Sequence, residues 1–523
     1  MKQHEELTRS AGLVGSLTLL SRIAGYVRDM VIAYFFGASA STDAFWVAFR
    51  IPNLLRRLFA EGSLTISFIP VFTDYLEKGN KEEAKKVADT VFTILLGLLI
   101  LISIAGVVLS PYIIKIFAAG FDTETFNLAV TLNRYMFPYI LFISLTALSM
   151  GVLNSLRHFF APAISPAVSN ICIIAAIFLI HRSLNVPIYS AAIGVMLGGV
   201  LQLLIQIPFL KTRGFLFGFS TSFKHPAVKR IALLIVPQLF GVAVYQINII
   251  VNTQYASFMP QGSISYLYFA ERLIEFPLGI IAVSIATVLL PSLSSHVSKG
   301  EFGKFRETYS YTLRLMLFIL IPALVGLIVL RVPICNLLYQ RGEFSYAATI
   351  FTSQAIFGYA IGLWAVGGIR ITAPAFYAMQ DTKTPVIIAF TAFIANAVLG
   401  YVLGFKFGLL HTGLAISSSV SSIINFLLLF YLVEKRVGDI KVRSILILCA
   451  KLIVISLIMG FAAWKFSGLA DWSGSGFAWE KIGVLAGTIV LSAAIYFTLA
   501  KLLRVKESDF LFGMIRRKFS RTN

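Results

Sequence analysis

The sequence predicts an all-α polytopic membrane protein of about 14 transmembrane helices, built as two pseudo-twofold-related six-helix lobes and two C-terminal helices. Three observations carry that expectation. Hydrophobic residues fill 58% of the 523 positions and charged residues only 13%, about half the charged share of a soluble chain; mean hydropathy is +0.85. Apolar stretches of about 20 residues or more follow one another with only short loops between them. Short signatures also recur along the chain at a nearly constant spacing.

The stretches lie near 10–36, 45–75, 87–116, 126–154, 162–181, 187–210, 228–256, 263–296, 306–330, 346–378, 384–404, 411–433, 443–464 and 481–503. The first is too long for the apolar core of a cleavable signal, is interrupted by charge and has no A-x-A cleavage site. Orientation follows from the loops, where about 27 Lys and Arg fall on the side of the N-terminus and about 6 on the other. Clusters such as Lys81, Lys85 and Lys86, or Lys435, Arg436, Lys441 and Arg443, set this bias. Both termini are therefore expected on the cytoplasmic face, and the net charge of +20 reads as a topology signal that needs no nucleic-acid partner.

The repeat rests on two pairs of signatures. Pro70 followed by Lys78-Gly79 matches Pro291 followed by Lys299-Gly300, an offset of 221; LNSLRHFFAP ending at Pro162 matches FYAMQDTKTP ending at Pro385, an offset of 223. Equivalent segments are then six helices apart, so both halves run in the same direction, a recurrent transporter plan. The expected organisation is an N-terminal lobe over 1–222, a C-terminal lobe over 223–440, and a helix pair with a basic tail over 441–523.

The informative residues are charges inside apolar runs, which are costly unless something uses them. The first stretch carries Arg22, Arg28 and Asp29, the second Arg50, Arg56, Arg57 and Glu61, and the eighth Glu271, Arg272 and Glu275. At 100° per residue Arg50, Arg57 and Glu61 share a face, as do Arg22, Gly25 and Asp29, while Arg28 points obliquely away toward an edge or pairing position. Such faces cannot meet lipid, so they are expected to line a hydrated cavity. The plainer reading, ion pairs that only lock helices together, predicts neutrality. Instead, six arginines against Asp29, Glu61, Glu271 and Glu275 leave a surplus of two positive charges, which suits an anionic and especially a phosphorylated substrate. Gly25, Pro52 and Pro277 beside these charges are candidate hinges.

Enzyme chemistry finds no support. The six histidines show no metal-ligand spacing, Cys172, Cys335 and Cys449 lie far apart, and there is no phosphate-binding Walker loop. No cofactor or metal is expected.

In order along the chain, RIAGYVRD, TDAF, RIPNLLRRLFAEG, ERLIEFP and QDTKTP resemble the MurJ (MviN) family of bacterial lipid II flippases, within the multidrug/oligosaccharidyl-lipid/polysaccharide exporter superfamily. The resemblance implies a central cationic cavity, with the two last helices forming a groove for a polyprenyl tail. It implies headgroup handling or gating for Arg22, Arg28, Asp29, Asp43, Arg50, Arg56, Arg57, Glu61, Arg272 and Glu275, with Arg28 and Arg272 as the diphosphate contacts. Glu271 departs from the pattern, since relatives often carry Asp there. Sodium binding in some members uses acidic residues on the seventh and eleventh helices; this chain offers only Gln246, Asn248 and Asn396, so no sodium site is expected. The implied function is alternating-access translocation of lipid II from the inner to the outer leaflet of the bacterial cytoplasmic membrane. The alternatives are a flippase for another polyprenyl-diphosphate-linked glycan and a non-transporting membrane scaffold. The implied partners are lipid II or a related glycan, membrane lipid, and the peptidoglycan-synthesis machinery.

Overall fold

The computed structural model describes residues 2–56 and 65–508, with side chains for all of these except 2–11, 65–66, 236–245 and 280–288. Among them, regular structure is helical throughout. The first part runs α1 (Lys2–Phe36), α2 (Ala40–Arg56), α3 (Thr65–Glu77), α4 (Lys81–Val108), α5 (Ser110–Ala118), α6 (Thr123–Met136), α7 (Tyr139–Ser155), α8 (Phe160–Ile180), α9 (Tyr189–Arg213) and α10 (Pro226–Ser257). The second runs α11 (Ser263–Ser298), α12 (Phe302–Val329), α13 (Arg331–Tyr339), α14 (Tyr346–Ala360), α15 (Leu363–Ala378), α16 (Lys383–Tyr401), α17 (Leu410–Val437), α18 (Val442–Ser467) and α19 (Trp479–Leu502).

Nine helical spans among the described residues are long and apolar enough to cross a membrane, or ten if α14 and α15, bent by 42° at their junction, count as one. The protein is a multi-pass membrane protein. Stretch 10–36 is not among the nine, and it carries Arg22, Arg28 and Asp29 within its apolar run. The charges that make this helix interesting also lower its apolar signal.

The repeat reappears as backbone geometry. Helix α3 ends at Gly79 (φ +73) and α11 at Gly300 (φ +69), left-handed positions where glycine carries no Cβ penalty. Both ends close alike: Gly79 N donates to Leu76 O and Asn80 N to Tyr75 O, as Gly300 N does to Val297 O and Glu301 N to His296 O. The second pair uses non-glycine residues, Arg157 (φ 58) and Gln380 (φ 59), again with matching bonds: Arg157 N to Asn154 O and His158 N to Leu153 O, Gln380 N to Tyr377 O and Asp381 N to Phe376 O. The correspondence extends to breaks that hydropathy does not reveal. After Leu109 and Leu330 the chain starts α5 and α13, each of 9 residues. Gly362, at the α14–α15 bend, lies so close to α17 that a Cβ there would meet Ser419 Cα at 2.7 Å.

Two compact units emerge, Met1–Ile264 and Ser265–Asn523. Helix α10 belongs to the first, packed on α3, α4 and α5. That unit's core joins Phe68 and Phe72 of α3, Val87 and Val91 of α4, Leu148 and Val152 of α7, and Ile231 of α10. In the second unit α12 packs against α14, α15 and α18, and α17 against α14, α15 and α16.

The QDTKTP run has a structural explanation. Asp381 accepts hydrogen bonds from Lys383 N, Thr384 N and Thr384 Oγ1 at 3.0, 3.0 and 2.5 Å, capping α16. It also pairs with Arg436 at the end of α17. Burial alone would raise the Asp381 pKa, but bonds from Thr384 and Arg436 outweigh it and hold the carboxyl at about 2. Because the folded value lies below the unfolded one, this tie contributes its full stability above about pH 4. The contribution is lost as pH falls toward 2. Thermal melts between pH 6 and pH 2 are expected to show a smaller acid-dependent drop for Asp381→Asn than for the wild type.

Candidate functional site: charged faces and an apolar groove

In the first unit the charges gather where α1 meets α8 and α2. Arg28 donates through Nε and Nη2 to Asp29 Oδ1 at 3.0 and 2.6 Å, and through Nη1 to Asn170 Oδ1 of α8 at 3.2 Å. Its guanidinium lies over the Phe49 ring of α2, 5.7 Å from the centroid. Asp29 is fully buried and Arg28 only 8% exposed, so each charge has its counter-charge beside it in a poor solvent. Arg22 sits half-buried two turns before Asp29, with the buried Gly25 between them.

Helix α2 distributes its charges along its length. Asp43, in the first turn and 3% exposed, accepts from Gly262 N at 2.7 Å and so fixes the turn that follows α10. Arg50 Nη1 donates to Thr253 Oγ1 of α10 at 2.6 Å. Pro52 lies buried within the helix, where it removes one ladder hydrogen bond, and Arg56 is half-buried in the last turn. Arg57 and Glu61 lie outside the described residues. In the second unit Arg272 and Glu275 of α11 stand one turn apart, 3.5 Å between Nη1 and Oε2, with side chains 29% and 42% exposed. Glu271 and Pro277 are half-buried on the same helix, and Arg370 of α15 donates to Leu278 O at 3.5 Å.

Sequence reasoning missed Asn170, Thr253 and Phe49. Asn170 had a signal, a lone amide in the apolar run AISPAVSNICIIAAIF; Phe49 had none. For metal chemistry, no three His, Cys, Asp or Glu side chains among the described residues form a group that could hold an ion. Asn396 Oδ1 already accepts from Ser417 Oγ at 3.0 Å, and Gln246 is buried on α10.

A second feature lies between α12, α18 and α19. It is a cavity of about 340 Å³ lined by Phe318, Pro322, Gly326, Met459, Ala493 and Tyr496, among others. Tyr496 OH donates to Phe318 O at 2.6 Å, which withdraws its hydroxyl and leaves hydrocarbon surface. The helix pair is fastened to the bundle at both ends. At one end Asn336 and Gln340 of α13 donate to the carbonyls of Trp472, Ser473 and Gly474, and Lys481 Nζ donates to Asn336, Gly474 and Ser475. At the other, Arg314 of α12 bonds Glu507 at 2.6 Å and Ser444 at 2.8 Å.

The family model for "Lipid II flippase MurJ" matches residues 32–482. The chain belongs to the MurJ family. Similar MurJ-family proteins include the lipid II flippase MurJ of Burkholderia cenocepacia, 36% identical over 96% of this chain and 99% of that one. The probable lipid II flippase MurJ of Vibrio cholerae is also 36% identical, over 97% and 98%. A solved structure of a lipid II flippase MurJ in an inward closed conformation superposes with TM-score 0.79 at 30% identity, covering 94% of this chain and 98% of that chain. An inward-facing multidrug resistance MATE transporter of the MOP superfamily shares the fold, with TM-score 0.68 at 14% identity over 82% of this chain. The matched residues 32–482 include all of α2 and α11, and the likeness extends over nearly the full length of the relatives.

Proposed function

We propose that this protein is a transporter that flips lipid II from the cytoplasmic to the outer leaflet of the bacterial cytoplasmic membrane by alternating access. The observation that carries this reading is the full-length likeness to lipid II flippases in a chain that carries arginines on α1, α2 and α11. A polyprenyl-diphosphate substrate has two chemically different ends. Forked guanidinium groups suit the diphosphate oxygens, with Arg28 and Arg272 as its main contacts, Arg22, Arg50 and Arg57 adding positive charge, and Asp29 holding Arg28 in place. Asp43, Arg56, Glu61, Glu271 and Glu275 serve gating and ion pairing. The hydrocarbon groove beside α12 suits the polyprenyl chain, and Gly25, Pro52 and Pro277 provide bends for the conformational cycle. No bound sodium is required. The peptidoglycan-synthesis machinery is the partner such a flippase would supply.

Depleting the protein and assaying which leaflet accumulates lipid II tests this reading. Accumulation on the cytoplasmic side supports it; unchanged distribution points to a scaffold, and accumulation of a different polyprenyl-linked glycan points to another substrate.

Orientation is part of the proposal: both termini are cytoplasmic. In a cysteine-free background, single cysteines at Asn80, Thr221 and Asp439, all exposed, should react with an impermeant thiol reagent only from the cytoplasm. Those at Thr123, Glu343 and Ser475, also exposed, should react only from outside. Labelling of position 343 from the cytoplasm would contradict the assigned orientation.

A further inference from the structure

Asn170 of α8 makes two contacts that together require a primary amide. Its Oδ1 accepts from Arg28 Nη1 at 3.2 Å, and its Nδ2 donates to Ser21 O of α1 at 3.3 Å. The arrangement cannot be reversed, because a guanidinium only donates and a backbone carbonyl only accepts. Aspartate could receive the first bond but would turn a second acceptor toward Ser21 O. Leucine would make neither.

The Ser21 carbonyl is also the helical partner of the Gly25 N–H, four residues on. A side chain bonding that carbonyl sits beside the α1 ladder at its glycine, so one amide fastens the Gly25 segment and the Arg28 cation to α8. Asp29 takes Nε and Nη2 of the same guanidinium, and the Phe49 ring lies against its face. These three neighbours fix both the plane and the edge of the group.

We infer that Asn170 is a positioning residue for substrate binding: it locks the Arg28 guanidinium in one orientation and ties the adjacent Gly25 segment of α1 to α8. The inference rests on the reading of Arg28 as a diphosphate contact. A planar fork held in place before binding loses less freedom when it engages phosphate oxygens. Helix–helix attachment is a smaller consequence, since interhelical hydrogen bonds in lipid contribute little net stability.

The test is equilibrium binding of labelled lipid II to the purified full chain in nanodiscs, with melting temperatures measured in parallel. The variants are Asn170→Leu, Asn170→Ser, Arg28→Lys and the two double substitutions. Arg28→Lys keeps Asp29 facing a positive charge while removing the fork. Each Asn170 variant should bind about tenfold more weakly and melt within a few degrees of the wild type. In the Arg28→Lys background, replacing Asn170 should add less than a twofold loss, because the two side chains act as one unit. Unchanged binding in the Asn170 variants, or the same tenfold loss in both backgrounds, would overturn the inference and make Asn170 a packing residue. Loss of folded protein with both Asn170 substitutions would do the same. If Arg28→Lys itself binds like the wild type, the diphosphate reading of Arg28 fails, and the inference falls with it.

Discussion

Arg272→Ala will reduce lipid II translocation to background while leaving membrane abundance and melting temperature near wild type; Arg28→Ala will lose transport and stability together. The difference follows from burial. The Arg272–Glu275 pair is partly exposed, 29% and 42% at 3.5 Å, and exposed pairs contribute about 0–1 kcal/mol to folding. The Arg28–Asp29 pair is 10% and 0% exposed in its side chains at 2.6 Å. Removing one partner of a buried pair costs about 3–5 kcal/mol, because the other charge is left in a poor solvent. Arg272→Lys should restore little transport, since an ammonium cannot reproduce the forked geometry. Transport rates in vesicles, read beside melting curves of the same preparations, separate the two effects. A large fall in abundance for Arg272→Ala would mean that this charge holds the helix rather than the substrate.

Much of the architecture is legible in the sequence because a bilayer imposes length and polarity on every span. Each expected stretch is mainly helical wherever residues are described, with breaks inside several of them, and two pairs of signatures point to a repeat whose matching helix ends close with the same hydrogen bonds. The breaks at Leu109 and Leu330 escape notice because no glycine or proline occupies them; Pro111 and Pro333 follow slightly later. Hydropathy also cannot separate lipid-facing from protein-facing residues. On α18, Leu452 is fully buried and Leu457 is 59% exposed, yet both read as leucine in an apolar run. The groove is hidden for the same reason, as Phe318, Met459 and Tyr496 resemble any packing residue.

The charged positions are partly legible. Angular reasoning sets Arg28 apart from the Arg22–Gly25–Asp29 face as an edge or pairing residue, and the structure shows it bonded to the adjacent Asp29. Its other partner, Asn170, lies 142 residues away, and a single amide in an apolar helix has no periodicity to advertise its role. The association of α10 with the first unit is also invisible locally, because it depends on partners in α3, α4 and α5.

Filling the groove should have the second large effect. Gly326 lines the cavity, and a Cβ built there meets nothing within 4 Å, so Gly326→Phe is the substitution chosen to direct a ring into the groove. The bilayer is as apolar as the groove, so the chain is held by packing rather than by transfer from water. A ring in that space removes the packing contacts. Translocation of a substrate with a full-length polyprenyl chain should fall by roughly tenfold or more, a change of about 1.4 kcal/mol per tenfold in binding terms. A short-chain diphosphate analogue that does not reach the groove should bind as it does to the wild type. Equal losses for long and short chains would show that the substitution damages the bundle instead.

The central claim, that this protein moves lipid II across a bilayer, is tested most directly in vesicles containing only the purified protein and lipid II labelled on its headgroup. A membrane-impermeant quencher added outside reports how fast inner-leaflet label becomes reachable. The expected result is a protein-dependent quenching phase that disappears with Arg272→Ala and is not seen for a labelled phospholipid. Wild-type vesicles that quench no faster than protein-free ones, or a rate unchanged by Arg272→Ala, would contradict the account.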